Sequence, residues 1–182
     1  GSLIAHRPIG PGNREQRDDQ DDAIFHPVAP AADDEPTRGH MDEDQALAPV
    51  SAYGRSKVAA EVTVRAVASN PTILRLGNIA GADALLAGNR QGKLVALDQS
   101  TYGNRGPVRS YIGPHVLADV LSLICSKAIA AKDIGHTLNV AQPDPVAMAD
   151  LLDAAGYDWS FRAPREVVID QVALSLGRLQ AL

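Results

Sequence analysis

The feature that most constrains the fold is an alternation of helix-like and strand-like segments that begins near residue 46. Ser51 can cap a helix that runs to about Ala68, and Asn70-Pro71 then ends it. A short apolar strand follows at Thr72–Leu76 and is bounded by Gly77. Because helices that alternate with strands usually cover a parallel sheet, the pattern predicts an α/β fold.

The alternation continues to the end of the chain. We expect a short helix at Ala82–Ala87, a loop at Gly88–Pro107, a strand at Ser110–Ile112, a helix from Pro114 to about Ala131, a strand at Thr137–Val140 and a helix from Pro145 to Gly156. The last segment, Glu166–Leu182, fits either a strand or a helix.

The first 40 residues have a different composition. Residues 1–45 hold eleven of the 22 acidic residues but only four of the 17 basic ones. Five prolines interrupt the same region, and its apolar residues follow neither the helical nor the strand period. We therefore predict an irregular acidic and proline-rich arm at 1–40 and one folded unit at 41–182.

Composition excludes several classes of function. The net charge of −5 argues against a nucleic-acid-binding surface. No apolar run reaches the ~18 residues that a membrane span needs, and no signal pattern opens the chain, so we expect a cytoplasmic protein. The single cysteine, Cys125, lies in an apolar run and is expected to be a buried free thiol; no metal site is predicted.

The residues with the clearest chemistry are Tyr53 and Lys57, which lie one helical turn apart on the first helix. A free phenol is a poor acid or base at neutral pH because it loses its proton only near a pKa of ~10. A neighbouring ammonium group favours the phenolate, which is what general acid–base catalysis by a tyrosine requires. The spacing alone is a weak signal, since a tyrosine can simply pack on a solvated lysine.

The surrounding residues make the pattern specific. The stretch Pro49-Val-Ser-Ala-Tyr53-Gly-Arg-Ser-Lys57-Val-Ala-Ala-Glu61 resembles the catalytic helix of the NAD(P)-dependent epimerase/dehydratase family, the extended short-chain dehydrogenase/reductases. Three later passages resemble the same family in the same order. They are Thr72-Ile-Leu-Arg-Leu-Gly-Asn78-Ile-Ala-Gly81, Val108-Arg109-Ser-Tyr111-Ile112 and Gly135-His-Thr-Leu-Asn139-Val140.

The resemblance implies the C-terminal half of such an enzyme: part of a Rossmann-like, doubly wound sheet with a small substrate lobe. Tyr53 would be the acid/base in hydride and proton transfer on a sugar or nucleotide-sugar substrate. Lys57 would bind the nicotinamide ribose of NAD or NADP, next to Tyr53. Asn78 and Arg109 would hold the substrate, although Asn78 also fits a turn residue and Arg109 a surface arginine. Glu61 is better explained by an i,i+4 pair with Arg65 on an exposed helix face.

Two departures from the family pattern leave other functions open. Gly10-Pro-Gly12 is followed by Asn-Arg-Glu15, so the third glycine of a phosphate-binding turn is missing. The family's active-site serine or threonine also has no counterpart about two dozen residues before Tyr53. A non-catalytic remnant, or a dimerisation module built on the Tyr53 helix, is therefore a second hypothesis. A truncated or frame-shifted start of the gene is a third.

Overall fold

The computed structural model describes residues 40–49, 51–87, 92, 94–101, 103–163 and 169–182. The arm predicted at 1–40 lies outside this range except for His40, so the division into arm and folded unit stays a prediction. No helix among the described residues is both long enough and apolar enough to cross a membrane.

The elements alternate along the described chain. The helices are α1 (Ala52–Val67), α2 (Pro114–Ile129), α3 (Met148–Ala155) and α4 (Gly177–Gln180). The strands are β1 (Ile73–Leu76), β2 (Asn78–Ile79), β3 (Val95–Leu97), β4 (Val108–Arg109), β5 (Tyr111–Ile112), β6 (Thr137–Val140), β7 (Val146–Ala147), β8 (Trp159–Phe161) and β9 (Gln171–Val172). The expected α/β class is confirmed.

Local signals set most helix ends. The Ser51 hydroxyl accepts a hydrogen bond from the Gly54 N–H at 2.9 Å, which caps α1 as predicted. Pro114 occupies the first turn of α2, where its missing N–H costs no hydrogen bond. Gly156 ends α3 in the left-handed conformation (φ +71°), which a residue with a side chain adopts only with strain.

Three predicted elements differ from the structure. Ala82–Ala87 forms turns rather than a helix, and β3 lies within the segment Gly88–Pro107, which was expected to be loop. The helix expected from Pro145 begins three residues later, after β7. The segment Glu166–Leu182 fits either a strand or a helix by sequence. Its described residues contain one strand, β9, and one helix, α4.

Parallel pairing dominates the sheets among the described residues. β1 pairs with β6 in the register Ile73↔Thr137, β2 pairs with β5, and β3 pairs with β8, all in parallel. β4 lies between antiparallel β7 and parallel β9. The described strands therefore form four small sheets, and chain segments distant in sequence meet in each of them.

Two apolar clusters hold these sheets. One contains Leu97, Ala149 and Leu152 and supports β3, β8 and α3. The other centres on Ile112, Leu138 and Val140 and packs against α2 and β1. The prediction for Cys125 is wrong: Cys125 is exposed, because it follows the buried Ile124 by one residue and so points about 100° away from it around α2.

Candidate functional site

A groove of about 620 Å³ runs between helix α1 and strand β1. It contains three of the four residues singled out from the sequence, Tyr53, Lys57 and Asn78. Its remaining lining residues come from α1, from β1 and the residues on either side of it, from β2 and from the turn after β2: Ala60, Glu61, Val64, Thr72, Ile73, Leu74, Arg75, Leu76, Gly77, Ile79, Ala82, Asp83 and Ala84.

Tyr53 and Lys57 lie one turn apart on α1. The Lys57 Nζ is 5.0 Å from the centroid of the Tyr53 ring, and 37 % of Tyr53 is exposed. An ammonium group at this distance from an aromatic ring is attracted to it and is held near it. The pair therefore offers a phenol and a cation side by side to any molecule in the groove.

Asn78 follows β1 directly, after a glycine at which the backbone passes close to Ser110. A Cβ at Gly77 would lie 2.7 Å from the backbone oxygen of Ser110, so only glycine allows this close approach. The N–H of Asn78 then donates to that same Ser110 oxygen at 2.9 Å. The strand end is thereby fixed, and Asn78 is brought to the groove that also contains Tyr53.

A buried ion pair ties α1 to β1. Arg75 of β1 donates from Nε to Glu61 Oε1 at 3.1 Å and from its Nη2 to Glu61 Oε2 at 3.0 Å. The two side chains are only 9 % and 12 % exposed. Sequence reasoning missed this pair and assigned Glu61 to Arg65 instead. That assignment is wrong, because Arg65 donates to the Thr137 hydroxyl at 2.6 Å.

The same arginine connects to the segment before α1. Arg75 also donates to the Glu43 carbonyl at 3.0 Å, and the Glu43 carboxylate accepts from the Asn139 N–H at 3.0 Å. The Asn139 side chain in turn donates to the carbonyls of Met41 and Ser175. One hydrogen-bonded network therefore holds the segment before α1, the helix itself and the two parallel strands in a fixed arrangement.

Arg109 lies elsewhere. It is a residue of β4, is only 5 % exposed, and is not among the residues that line the groove. Its guanidinium donates to the carbonyls of Val108 and Ile169, both at 2.8 Å. The nearby Asp170 carboxyl has a lowered pKa: burial raises it, but hydrogen bonds from Thr101 and Ser100 and the Arg109 charge outweigh burial. The role expected for Arg109 in substrate binding stays a prediction.

The groove fits one end of a dinucleotide better than the whole. Lys57 and Tyr53 offer polar groups of the kind that hold a ribose and a reacting oxygen. The other cation of the groove lining, Arg75, is engaged by Glu61. The 182 residues contain no Gly-x-Gly-x-x-Gly turn to receive a pyrophosphate. Within the described part of the chain, no group of His, Cys, Asp and Glu side chains could hold a metal ion.

Comparison with solved structures identifies the fold. The UDP-glucose 4-epimerase of Thermus thermophilus, in complex with NAD, superposes with a TM-score of 0.60 at 23% identity; the match covers 87% of this chain and 54% of the epimerase. The Brucella ovis UDP-glucose 4-epimerase, in complex with NAD, superposes with a TM-score of 0.64 at 19% identity. This match covers 80% of this chain and 55% of the epimerase.

A dehydratase also matches. The dTDP-glucose 4,6-dehydratase of Bacillus anthracis, in complex with NAD, gives a TM-score of 0.57 at 14% identity, over 80% of this chain and 49% of the dehydratase. No protein-family model and no curated protein sequence matches the chain.

The chain thus has a partial Rossmann-like α/β fold. More particularly, it has the fold of the nucleotide-sugar epimerases and dehydratases, the extended short-chain dehydrogenase/reductases, which confirms at the level of the fold the resemblance found in the sequence. The chain spans about half the length of the solved structures that it matches.

Proposed function

We propose that the protein carries the catalytic helix of an NAD(P)-dependent epimerase/dehydratase that acts on a sugar or nucleotide-sugar. The observation that carries this proposal is the groove in which the Tyr53 phenol, the Lys57 ammonium and Asn78 meet. The comparisons add that the T. thermophilus epimerase and the B. anthracis dehydratase, which have this fold, are both complexes with NAD.

Each groove residue has a distinct role in the proposal. Tyr53 holds or moves the proton on the sugar oxygen whose carbon is oxidised or reduced. Lys57 binds a ribose hydroxyl and places its charge 5.0 Å from the centre of the Tyr53 ring. Asn78 hydrogen-bonds the sugar. The nicotinamide, when bound, takes up or returns the hydride.

Arg109 would bind a phosphate of the substrate, on two conditions. Its guanidinium is bound by the carbonyls of Val108 and Ile169, so a phosphate would have to replace at least one of these bonds. Since Arg109 is buried, Ile169 would also have to move.

The proposal is tested by turnover of UDP-glucose and dTDP-glucose with NAD, in the protein supplemented with the part of the T. thermophilus epimerase that it does not match. Tyr53→Phe should abolish turnover and leave the fold intact, because only the hydroxyl is removed. Lys57→Ala should raise the KM for NAD and also lower kcat, since one side chain serves both binding and proton transfer.

Lys132→Ala is the control, because it removes an exposed charge outside the groove. Its turnover and its KM for NAD should equal those of the parent. Equal turnover in Tyr53→Phe and the parent would remove Tyr53 from the mechanism.

A non-catalytic interaction module is the second candidate, and the surface of α1 favours it. Gly54 is the only buried residue of this helix, all of which the structure describes, while Val62 and Val67 are 63 % and 80 % exposed. Val58, Ala59, Val62 and Ala66 give the helix small side chains suited to close packing against a second copy. Light scattering tests a homodimer through α1, since Val62→Glu should convert it to a monomer.

A further inference from the structure

We propose that Asp83 selects the sugar that enters the groove: its carboxylate accepts hydrogen bonds from neutral hydroxyl groups and repels a sugar that carries a carboxylate of its own. The inference rests on the proposed function, because it concerns the substrate of the same groove. Its evidence is the charge of the groove lining, the hydrogen bonds that hold Asp83 in place and the acceptor sites that these bonds leave.

Four charged side chains are among the described residues that line the groove, and two of them neutralise each other. Glu61 and Arg75 form the buried ion pair, so their charges largely cancel. The other two are Lys57, which lies beside the Tyr53 ring, and Asp83. Asp83 forms no ion pair with any described residue. It is therefore the negative charge that a ligand in the groove meets.

Asp83 is held in place by the turn that follows β2. Its Oδ1 accepts a hydrogen bond from the Leu86 N–H at 3.2 Å, and its backbone carbonyl accepts one from the Ala87 N–H at 2.9 Å. One residue earlier, the Ala82 N–H donates to the Ile79 carbonyl at 2.9 Å. The carboxylate therefore has a fixed position at the groove, and a ligand does not have to order it on binding.

The turn uses only part of the Asp83 carboxylate. A carboxylate has two oxygens with about four lone pairs, and it accepts hydrogen bonds but donates none. The Leu86 N–H takes one of these sites. The remaining sites suit the O–H donors of a sugar, and a hydrogen bond to a charged acceptor is stronger than one between neutral groups.

The same charge opposes an anionic sugar. A sugar carboxylate near Asp83 would place two negative charges side by side in a groove lined mostly by apolar residues, where water screens them less than in bulk solvent. Binding sites use such like-charge contacts to exclude wrong ligands. Lys57 has the opposite effect, but the proposed function assigns its charge to the nicotinamide ribose. We therefore expect neutral sugars to be preferred.

Titration of the 15N-labelled protein with UDP-glucose and with UDP-glucuronic acid tests the proposal. The two ligands differ only at one carbon of the sugar, which carries a hydroxymethyl group in the first and a carboxylate in the second. The parent should bind UDP-glucose more tightly, by about tenfold in Kd. In Asp83→Asn the preference should fall to about twofold or less. Lys57 is the same in both proteins, so the comparison isolates Asp83.

Two further variants separate the charge of Asp83 from its place in the turn. Asparagine keeps an Oδ1 that can accept from the Leu86 N–H, so the Leu86 amide should stay protected from hydrogen exchange in Asp83→Asn. Asp83→Glu keeps the charge on a longer side chain and should keep the preference for UDP-glucose. Asp119→Asn is the matched control, because it removes an exposed charge from α2, outside the groove, and should bind as the parent does.

Equal preference in Asp83→Asn and the parent overturns the proposal. A parent that binds UDP-glucuronic acid as tightly as UDP-glucose, or binds neither, also overturns it. Tyr53→Phe separates the inference from the proposed function, since it should lose turnover and keep the preference. A preference that depends on Asp83 in a parent without turnover would contradict the function and leave the role of Asp83 standing. Turnover of UDP-glucose with no dependence of the preference on Asp83 would do the reverse.

Discussion

Replacement of Glu61 by alanine should destabilise the protein strongly, because it leaves the Arg75 charge buried without its carboxylate. Arg75 is 9 % exposed and makes two hydrogen bonds to Glu61, at 3.1 and 3.0 Å. Removal of one member of a buried ion pair typically costs about 3–5 kcal/mol. Arg75 keeps its bond to the Glu43 carbonyl, so we expect the lower end, about 3 kcal/mol.

A double variant that removes both charges separates the pair from its surroundings. Replacement of both partners, as Glu61→Leu with Arg75→Met, removes both charges and should return stability to within about 1 kcal/mol of the parent. The double variant should therefore be about 2–3 kcal/mol more stable than Glu61→Ala alone. Such a value is a large share of a total stability of about 5–15 kcal/mol.

Urea denaturation followed by circular dichroism measures these differences. Arg105→Ala is the control, since it breaks ion pairs to Asp150 and Asp153 whose side chains are about half exposed, and its midpoint should hardly change. If Glu61→Ala lowers the free energy of unfolding by less than about 1 kcal/mol, the prediction is refuted, because a buried arginine without its partner should destabilise the protein by more than this.

Three further predictions follow from local geometry. Ser51→Ala removes the cap on the Gly54 N–H and should cost about 1 kcal/mol in urea denaturation. The pKa of the Asp170 carboxyl is lowered in the folded protein, because its hydrogen bonds outweigh its burial. The carboxylate therefore stabilises the fold above the unfolded pKa of about 3.9. This stabilisation is lost as the pH falls through the lower pKa of the folded state. Urea midpoints between pH 6 and pH 3 should therefore fall less in Asp170→Asn than in the parent. The exposed Cys125 should react fully with Ellman's reagent in the folded protein, and a thiol that reacts only in urea would contradict its position.

The sequence was sufficient at several helix ends that depend on near neighbours. The start of α1 follows from Ser51, that of α2 from Pro114, and the end of α3 from Gly156, because each residue acts on backbone groups within one turn. The proximity of Tyr53 and Lys57 follows from the helical repeat for the same reason.

Features that depend on distant contacts could not be predicted in this way. β3 lies in a segment rich in Gly, Asn and Gln, and it pairs with β8, more than sixty residues later in the chain. Glu61 has a local candidate in Arg65, but the fold brings Arg75 to it from β1. Only the packing of α1 on β1 decides between these two arginines. Sequence spacing carries no information about that packing.

We expect the groove between α1 and β1 to receive the nicotinamide and ribose end of a dinucleotide. Titration of the 15N-labelled protein with NADH tests it most directly. We expect shifts at Tyr53, Lys57 and Asn78, with a dissociation constant in the range of about 1 mM, or roughly −4 kcal/mol. The shifts should disappear in Lys57→Met. No shift at these three residues at ~10 mM NADH, or shifts of equal size in the parent and Lys57→Met, would contradict the claim.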